Sequence, residues 1–368
     1  MTVPQLCRFG LAVLAAGALG AADGRAADAA AWVDPIDAPA EILPLAAHTL
    51  LLGLAQSGSR LVAVGGRGEV LVSENGHDWR QVEVPTRITL TAVAAVDAQV
   101  WAVGHEGVIL HSADGGEHWQ MQRKDPWKAG TDEAARDPRQ GAPLLGVLFV
   151  TPKRGYAVGA YSLALRTEDG GESWQPMTVA AAPAEKAAAA DKGGDKNKDG
   201  NWTFSQSELK IGEEATPHLN AIARTGSGAL LIVGERGSAF RSRDDGATWQ
   251  RLQLPYDGSM FGVLGYEGDR VLAYGLRGHV YESNDLGGHW ELRPTGTELS
   301  LMGGAALADG GAVIVGANGI VLVRHTAAEP FASFVDQPAG VIAAALPLAD
   351  AGTLLLAGEN GLRTFQPK

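Results

Sequence analysis

The feature that most constrains what this chain can fold into is an eight-residue pattern that returns along its length. Ser112-Ala113-Asp114-Gly115-Gly116-Glu117-His118-Trp119, Thr167-Glu168-Asp169-Gly170-Gly171-Glu172-Ser173-Trp174, Ser242-Arg243-Asp244-Asp245-Gly246-Ala247-Thr248-Trp249 and Ser283-Asn284-Asp285-Leu286-Gly287-Gly288-His289-Trp290 all read Ser/Thr, any, Asp, any, Gly, any, any, Trp. A shortened copy runs from Ser73 through Asn75 and Gly76 to Trp79. A short Asp or Asn side chain accepts hydrogen bonds from nearby backbone N–H groups, and Gly supplies a turn conformation that a Cβ would obstruct. Trp then opens the next strand, with a ring to bury between sheets and an indole N–H left for a partner at the edge. One repeated turn device accounts for every copy, so Asp114, Asp169, Asp244 and Asp285 and Trp79, Trp119, Trp174, Trp249 and Trp290 are read as structural rather than catalytic.

Two further features repeat in step with the marker. A β-branched or apolar strand ends in Gly, two residues and a second Gly before another strand, a hairpin signal found at Gly65 to Gly68, Gly104 to Gly107, Gly234 to Gly237, Gly275 to Gly278, Gly316 to Gly319 and Gly358 to Gly361, with Gly159 to Ser162 as a variant. Upstream of each lies an apolar segment with a small residue at a fixed place: Gly53, Ala92, Gly146, Ala221, Gly262, Gly303 and Ala343. Small residues let strands crowd an axis. Apolar strand, hairpin and Trp strand make four strands per unit, and such units in a ring form an all-β, seven-bladed β-propeller over residues 30–368. The last unit stops at its third strand, so residues 32–43 are expected to close the ring as blade seven's outer strand, beside Gly361 to Phe365. The last two units lack the Asp marker and must hold their turns differently.

Composition sets limits on function. The chain has 368 residues, 45% of them hydrophobic, with 49 glycines, which suits many short strands and tight turns. Arg8, an apolar run from Phe9 to Leu19 and small residues up to Ala27-Asp28-Ala29 have the layout of a secretory signal cleaved near residue 29, too short to span a bilayer. A periplasmic or otherwise exported protein is expected, peripheral to the membrane and monomeric. Cys7 is the single cysteine and would leave with the signal, so disulfides and thiol catalysis are not expected. A net charge of -12 argues against a nucleic-acid partner.

Two insertions, residues 125–143 and 176–217, fall between an outer strand and the next inner strand. They open on the same face as the Gly-x-x-Gly turns, opposite the Asp turns. Long loops on a rigid scaffold are where binding usually lives. That face carries Arg67, Arg236 and Arg277 at equivalent turn positions, with Glu106, Tyr161, Asn318 and Asn360 in the other blades, and Trp127 in the first insertion. Arginines there suit carboxylates or backbone of a partner protein, and Tyr161 and Trp127 suit interface anchors; solvated turns are the plainer reading. The inner strands carry almost no ionisable residue apart from Arg224, so the channel offers no carboxylate pair for glycoside chemistry. His48, His105, His218 and Asp257 near its mouth have no metal or triad spacing, and no catalytic residue is assigned. In the second insertion Asp195, Asn197, Asp199 and Asn201, with Gly200, match the first half of a calcium loop. Position twelve is Gln206, so Glu208 would serve only in a longer loop; a polar flexible loop is the competing reading.

The marker resembles the Asp-box, or BNR repeat, of sialidases and other β-propellers. The whole mature chain resembles the photosystem II assembly and stability factor family and its non-photosynthetic bacterial relatives. The resemblance implies a non-catalytic scaffold for a membrane-protein complex of the cell envelope, with an RND-type exporter system as one client, and an arginine-rich patch to which Arg67, Arg236 and Arg277 are not matched residue by residue. It implies no cofactor. The alternative is an Asp-box glycosidase or a glycan-binding lectin, against which stands the lack of the Phe-Arg-Ile-Pro segment of many sialidases.

Overall fold

A computed structural model describes residues 32–127, 137–179, 216–349 and 352–367. The chain divides into two units, residues 1–33 and 34–368, and the repeats all belong to the second. The expected signal and cleavage point, the middle of both insertions and the calcium candidates Asp195, Asn197, Asp199, Asn201 and Glu208 lie outside the described residues.

Among the described residues the repeats become seven antiparallel sheets, six of four strands and one of three, each in simple up-and-down order. Blade one shows the plan: inner strand Leu51–Ser57, then Arg60–Gly65, Val70–Ser73 and outer strand Arg80–Gln81. Neighbouring inner strands touch all round the ring, blade seven against blade one included, so the seven sheets form a propeller. The second strands are apolar on both faces because each blade is covered by a blade on either side. Val62, Val64, Val70 and Val72 of blade one thus share a buried cluster with Val100, Ala102 and Leu110 of blade two, and comparable clusters fill the other clefts.

The inner strands crowd the axis as their small residues require. A Cβ on Gly303 would lie 2.1 Å from the Ala343 carbonyl oxygen, and one on Gly53 3.3 Å from the Ala92 Cα. Each inner strand begins with a register shift one residue wide, at Leu51/Gly53 in blade one and at the same place in the other six. A bulge of this kind bends and twists the strand locally, here where it enters the crowded axis.

The ring closes through the N-terminal segment, but not by the expected pairing: the described residues 34–43 do not run beside Gly361–Phe365. They lie along blade one's outer edge instead. Ala40 N–H donates to the Val84 carbonyl at 2.9 Å and Arg87 N–H to that of Pro35 at 2.8 Å, and Ile36, 2% exposed, enters the cleft between blades one and two. The reason is local apolar burial: Ile36 finds Val82, Val84 and Trp119 ready to receive it. Contact with blade seven comes from the next stretch, a 3-10 turn at Ala46–His48. In blades one, four, five and six the glycine of the strand-two/three turn packs under the linker to the following blade, Gly68 under the Thr86 carbonyl and Gly278 under that of Thr297. Gly361 packs in the same way under the Ala47 carbonyl, so the 3-10 turn stands where a linker from blade seven to blade one would stand.

Candidate functional site

The face bearing the strand-two/three turns is built from one backbone conformation. Arg67, Glu106, Tyr161, Arg236, Arg277 and Asn318 all have φ between 51° and 56°, a left-handed conformation uncommon outside Gly and Asn. It is held by main-chain bonds on both sides. In blade one Gly65 N–H donates to the Glu69 carbonyl at 3.0 Å and Gly66 N–H to that of Leu50 at 3.0 Å. The central side chain is thereby turned outward, and Arg67, Arg236, Arg277, Tyr161 and Asn318 are exposed. Asn360 departs from the set: Gly358 and Gly361 close a two-residue hairpin in which Gly361 takes the positive φ.

Both insertions emerge on this face. Asp125 N–H donates to the Glu106 carbonyl at 2.8 Å and Trp127 N–H to the Glu106 carboxylate at 2.9 Å, so the first insertion is tied to blade two's turn. Ser162 N–H donates to the Pro217 carbonyl at 2.9 Å, which ties the end of the second insertion to blade three's turn.

The ring does not gather the three arginines together. Arg236 and Arg277 occupy neighbouring blades four and five; Arg67 sits on blade one, separated from blade four by blades two and three and from blade five by blades six and seven. A continuous arc forms instead across blades three to five. Tyr161 meets His218 edge-on with ring centroids 5.0 Å apart, and His218 N–H donates to the Glu235 carboxylate at 3.1 Å, next to Arg236. Tyr256 stacks on His279 with centroids 4.1 Å apart, beside Arg277. Trp127 continues the arc toward blade two, half exposed. Sequence reasoning missed Tyr256 and His279. The available signal was the linker register Pro85-Thr86, Pro255-Tyr256 and Pro294-Thr295, which has an aromatic residue after blade four where blades one and five have threonine.

The channel encloses about 250 Å3 and is walled by the small residues of all seven inner strands with flanking apolar side chains such as Leu52, Phe261 and Met302. Among the described residues no carboxylate, histidine or lysine lines it. Arg224 ends its strand exposed and is not part of this wall. Among the described residues no cluster of three or more metal-ligating side chains occurs, His48, His105, His218 and Asp257 included.

The opposite face holds the repeated Asp turns, and there the aspartates act on the chain itself. Asp169 accepts from the Ser173 N–H at 3.0 Å and the Thr167 hydroxyl at 2.7 Å, while Gly171 N–H donates to that hydroxyl at 2.9 Å. Asp114, Asp244 and Asp285 repeat the arrangement. These bonds favour the ionised carboxylate. The Thr248 hydroxyl and N–H and the Ser242 hydroxyl hold Asp244 down to about 2, and Asp169 and Asp285 lie below the usual range for the same reason. Burial pushes Asp114 the other way, but the N–H and ring of His118 and the Ser112 hydroxyl outweigh it. Of the five tryptophans, Trp79 and Trp119 donate to the carbonyls of Gly76 and Gly116 within their own turns, at 3.1 and 2.8 Å. The indole N–H groups of Trp174, Trp249 and Trp290 are buried with no acceptor among the described residues, so the expected edge partner is met in only part of the set.

Each of these turns is also clasped by the preceding blade. Arg60 donates to the Asp114 carbonyl at 3.1 Å, Trp101 to Gly170 at 3.0 Å, Tyr156 to Asp245 at 2.9 Å and Arg241 to Leu286 at 3.1 Å. In blade six Arg324 stands where the marker has Ser or Thr, in register with Ala312 as Ser73 is with Leu61. It reaches back to Glu282 of blade five at 3.0 and 3.1 Å, inside a buried cluster that Arg270 and Arg293 complete. Burial alone would raise the Glu282 carboxyl; the three guanidinium groups bring it down to about 2.

No family model matches this chain. Curated relatives include the photosystem II assembly lipoprotein Ycf48 of Synechococcus sp. strain CC9902, 24% identical over 242 residues, covering 61% of this chain and 69% of that protein. The photosystem II assembly protein Ycf48 of Synechococcus sp. strain JA-3-3Ab is 25% identical over 260 residues, covering 58% and 78%. Among solved structures, YCF48 bound to D1 peptide superposes with a TM-score of 0.62 at 15% identity over 91% of this chain and 98% of that one. YCF48 from Cyanidioschyzon merolae gives 0.59 at 14% identity over 89% and 98%. The structural likenesses establish the seven-bladed fold, and with the sequence matches they make this chain a distant relative of the photosystem II assembly factors named Ycf48.

Proposed function

We propose that this chain is a non-catalytic, exported propeller that serves as an assembly or scaffold factor for a membrane-protein complex, which it grips with its insertion-bearing face. The carrying observation is the arc of Tyr161, His218, Arg236, Tyr256 and Arg277 on the face from which both insertions emerge, around a channel without a carboxylate among its described lining residues. Aromatic and arginine anchors are the residue types that dominate protein interfaces. The relatives named above are assembly proteins, one of them a lipoprotein, and one solved neighbour holds a D1 peptide. Within this reading the narrower client is an envelope complex of the periplasm, an RND-type exporter among them. Asp195, Asn197, Asp199, Asn201 and Glu208 are proposed calcium ligands, tested by calorimetric titration of the whole protein: heat at calcium concentrations up to about millimolar that Asp195→Ala and Asp199→Ala abolish supports them, and no heat refutes them.

The test of the main reading is capture of subunits from solubilised envelope membranes. Arg236→Glu with Arg277→Glu should reduce capture about tenfold or more, through repulsion and lost carboxylate pairing. Arg67→Glu alone should reduce it far less, because it lies across the ring. Equal capture by wild type and the double variant, or glycoside hydrolysis that depends on a channel-wall residue, would refute the reading.

A further inference from the structure

Among the described residues blade seven has three strands where every other blade has four. Its third strand, Gly361–Phe365, pairs with Leu354–Gly358 on one side, and among the described residues no strand pairs with its other edge. The six complete blades show what such an edge takes. In blade one Val70 stands opposite Val64, the residue before Gly65, and the Val70 carbonyl accepts from the outer-strand N–H of Val82 at 2.9 Å. The same bond joins Ala164 to Met177 at 2.8 Å in blade three and Val280 to Arg293 at 2.8 Å in blade five. In blade seven the corresponding residue is Leu362, opposite Ala357 and before the same glycine. Its carbonyl therefore faces outward, and so do the N–H and carbonyl of Thr364, because outward and inward groups alternate along an antiparallel strand.

The side chains around this edge favour an apolar visitor. The outer strands of blades one and three bury Val82 and Met177 in the cleft to the next blade, both under 9% exposed. The cleft between blades seven and one has an apolar floor of Leu362, Leu43 and Trp79, none of them fully covered. Ile42 and Leu45, in the segment that leads into the Ala46–His48 turn packed on Gly361, are 57% and 67% exposed. On the far side Arg363 is bound to Asp336 and Phe365 meets Phe334 edge-on, so those residues are committed to blade six.

We propose that the open edge of Gly361–Phe365 receives an extended segment of another polypeptide, which pairs antiparallel with it as blade seven's fourth strand and lays alternate apolar side chains into the cleft toward blade one. Strand addition of this kind draws affinity from main-chain bonds and specificity from alternate side chains. This contact is separate from the arginine arc and does not depend on it.

The probe is a labelled peptide copying the protein's own outer strand, Trp79–Val84, titrated against the full chain by fluorescence anisotropy. Two changes remove one main-chain bond each. The first is N-methylation of the peptide at the residue copying Val82, which deletes the donor to Leu362 and keeps the side chain. The second is Thr364→Pro in the protein, which deletes an outward N–H at an edge where proline is tolerated. Each should weaken binding about tenfold, the loss expected of one well-made interface hydrogen bond with its steric block, while Thr364→Pro melts like wild type. Undiminished binding of the methylated peptide overturns the proposal whether or not the proline variant folds. A concentration-dependent dimer dispersed by Thr364→Pro would give the edge to a second copy. Peptide binding seen only after residues 1–33 are deleted would give it to the chain's own N-terminal segment. Either result also overturns the proposal.

Discussion

The two faces of this ring use polar residues in opposite ways. On the Asp-turn face the turn aspartates and the side chains that clasp them are spent on the chain itself. Asp114, Asp169, Asp244 and Asp285 tie their own turns, and Arg60, Trp101, Tyr156, Arg241 and Arg324 tie neighbouring blades together from blade one to blade six. On the insertion face main-chain bonds hold each turn's conformation, with side chains such as Arg123 and Thr295 bonding the turn carbonyls of Gly107 and Gly278, so the central residue of each turn can vary, and it is Arg, Glu, Tyr or Asn in different blades. A face stabilised by its side chains cannot also vary them. The lesson is a division of labour, with stability on one side and recognition on the other.

The largest expected effect tests the stability side. Glu282→Ala leaves the buried Arg324 guanidinium without its carboxylate and should cost about 3–5 kcal/mol of unfolding free energy, read from denaturant titration; a loss below about 1 kcal/mol would break the comparison. Next comes pH. Asp244 and Glu282 lie near 2 in the folded chain against ordinary values of 3.8 and 4.5, and Asp114, Asp169 and Asp285 are likewise depressed. Their contribution is present above about pH 5 and is lost as pH falls toward 2. Thermal melts should therefore drop across that window, and a variant with the four turn aspartates changed to asparagine should drop less. Asp169→Ala alone should cost about 1–2 kcal/mol, the value of a lost turn-capping side chain. The smallest effect belongs to the recognition side: Arg236→Glu and Arg277→Glu should each shift stability by no more than about 0.5 kcal/mol, and a larger loss would mean that these arginines hold the fold.

Much of this was legible in the chain. The Ser/Thr-x-Asp-x-Gly marker, the glycine hairpins and the small axial residues are set by local backbone chemistry and by strand crowding, which a short window of sequence contains. The blade count, the shared face of the insertions and the outward turns at Arg67, Arg236 and Arg277 followed from them. Arg324 was illegible because its partner Glu282 lies 42 residues away, in a register that appears only when two blades pack.

The sequence by itself therefore determined the repeating unit, the number of units and the polarity of each turn, because each rests on contacts within one blade. Tertiary structure alone decided which turns are neighbours, setting Arg236 beside Arg277 and both apart from Arg67. It also decided where the N-terminal segment goes. Burial of Ile36 between blades one and two outweighed pairing beside Gly361–Phe365, since a cleft that neither blade forms alone offered more apolar contact than an exposed edge.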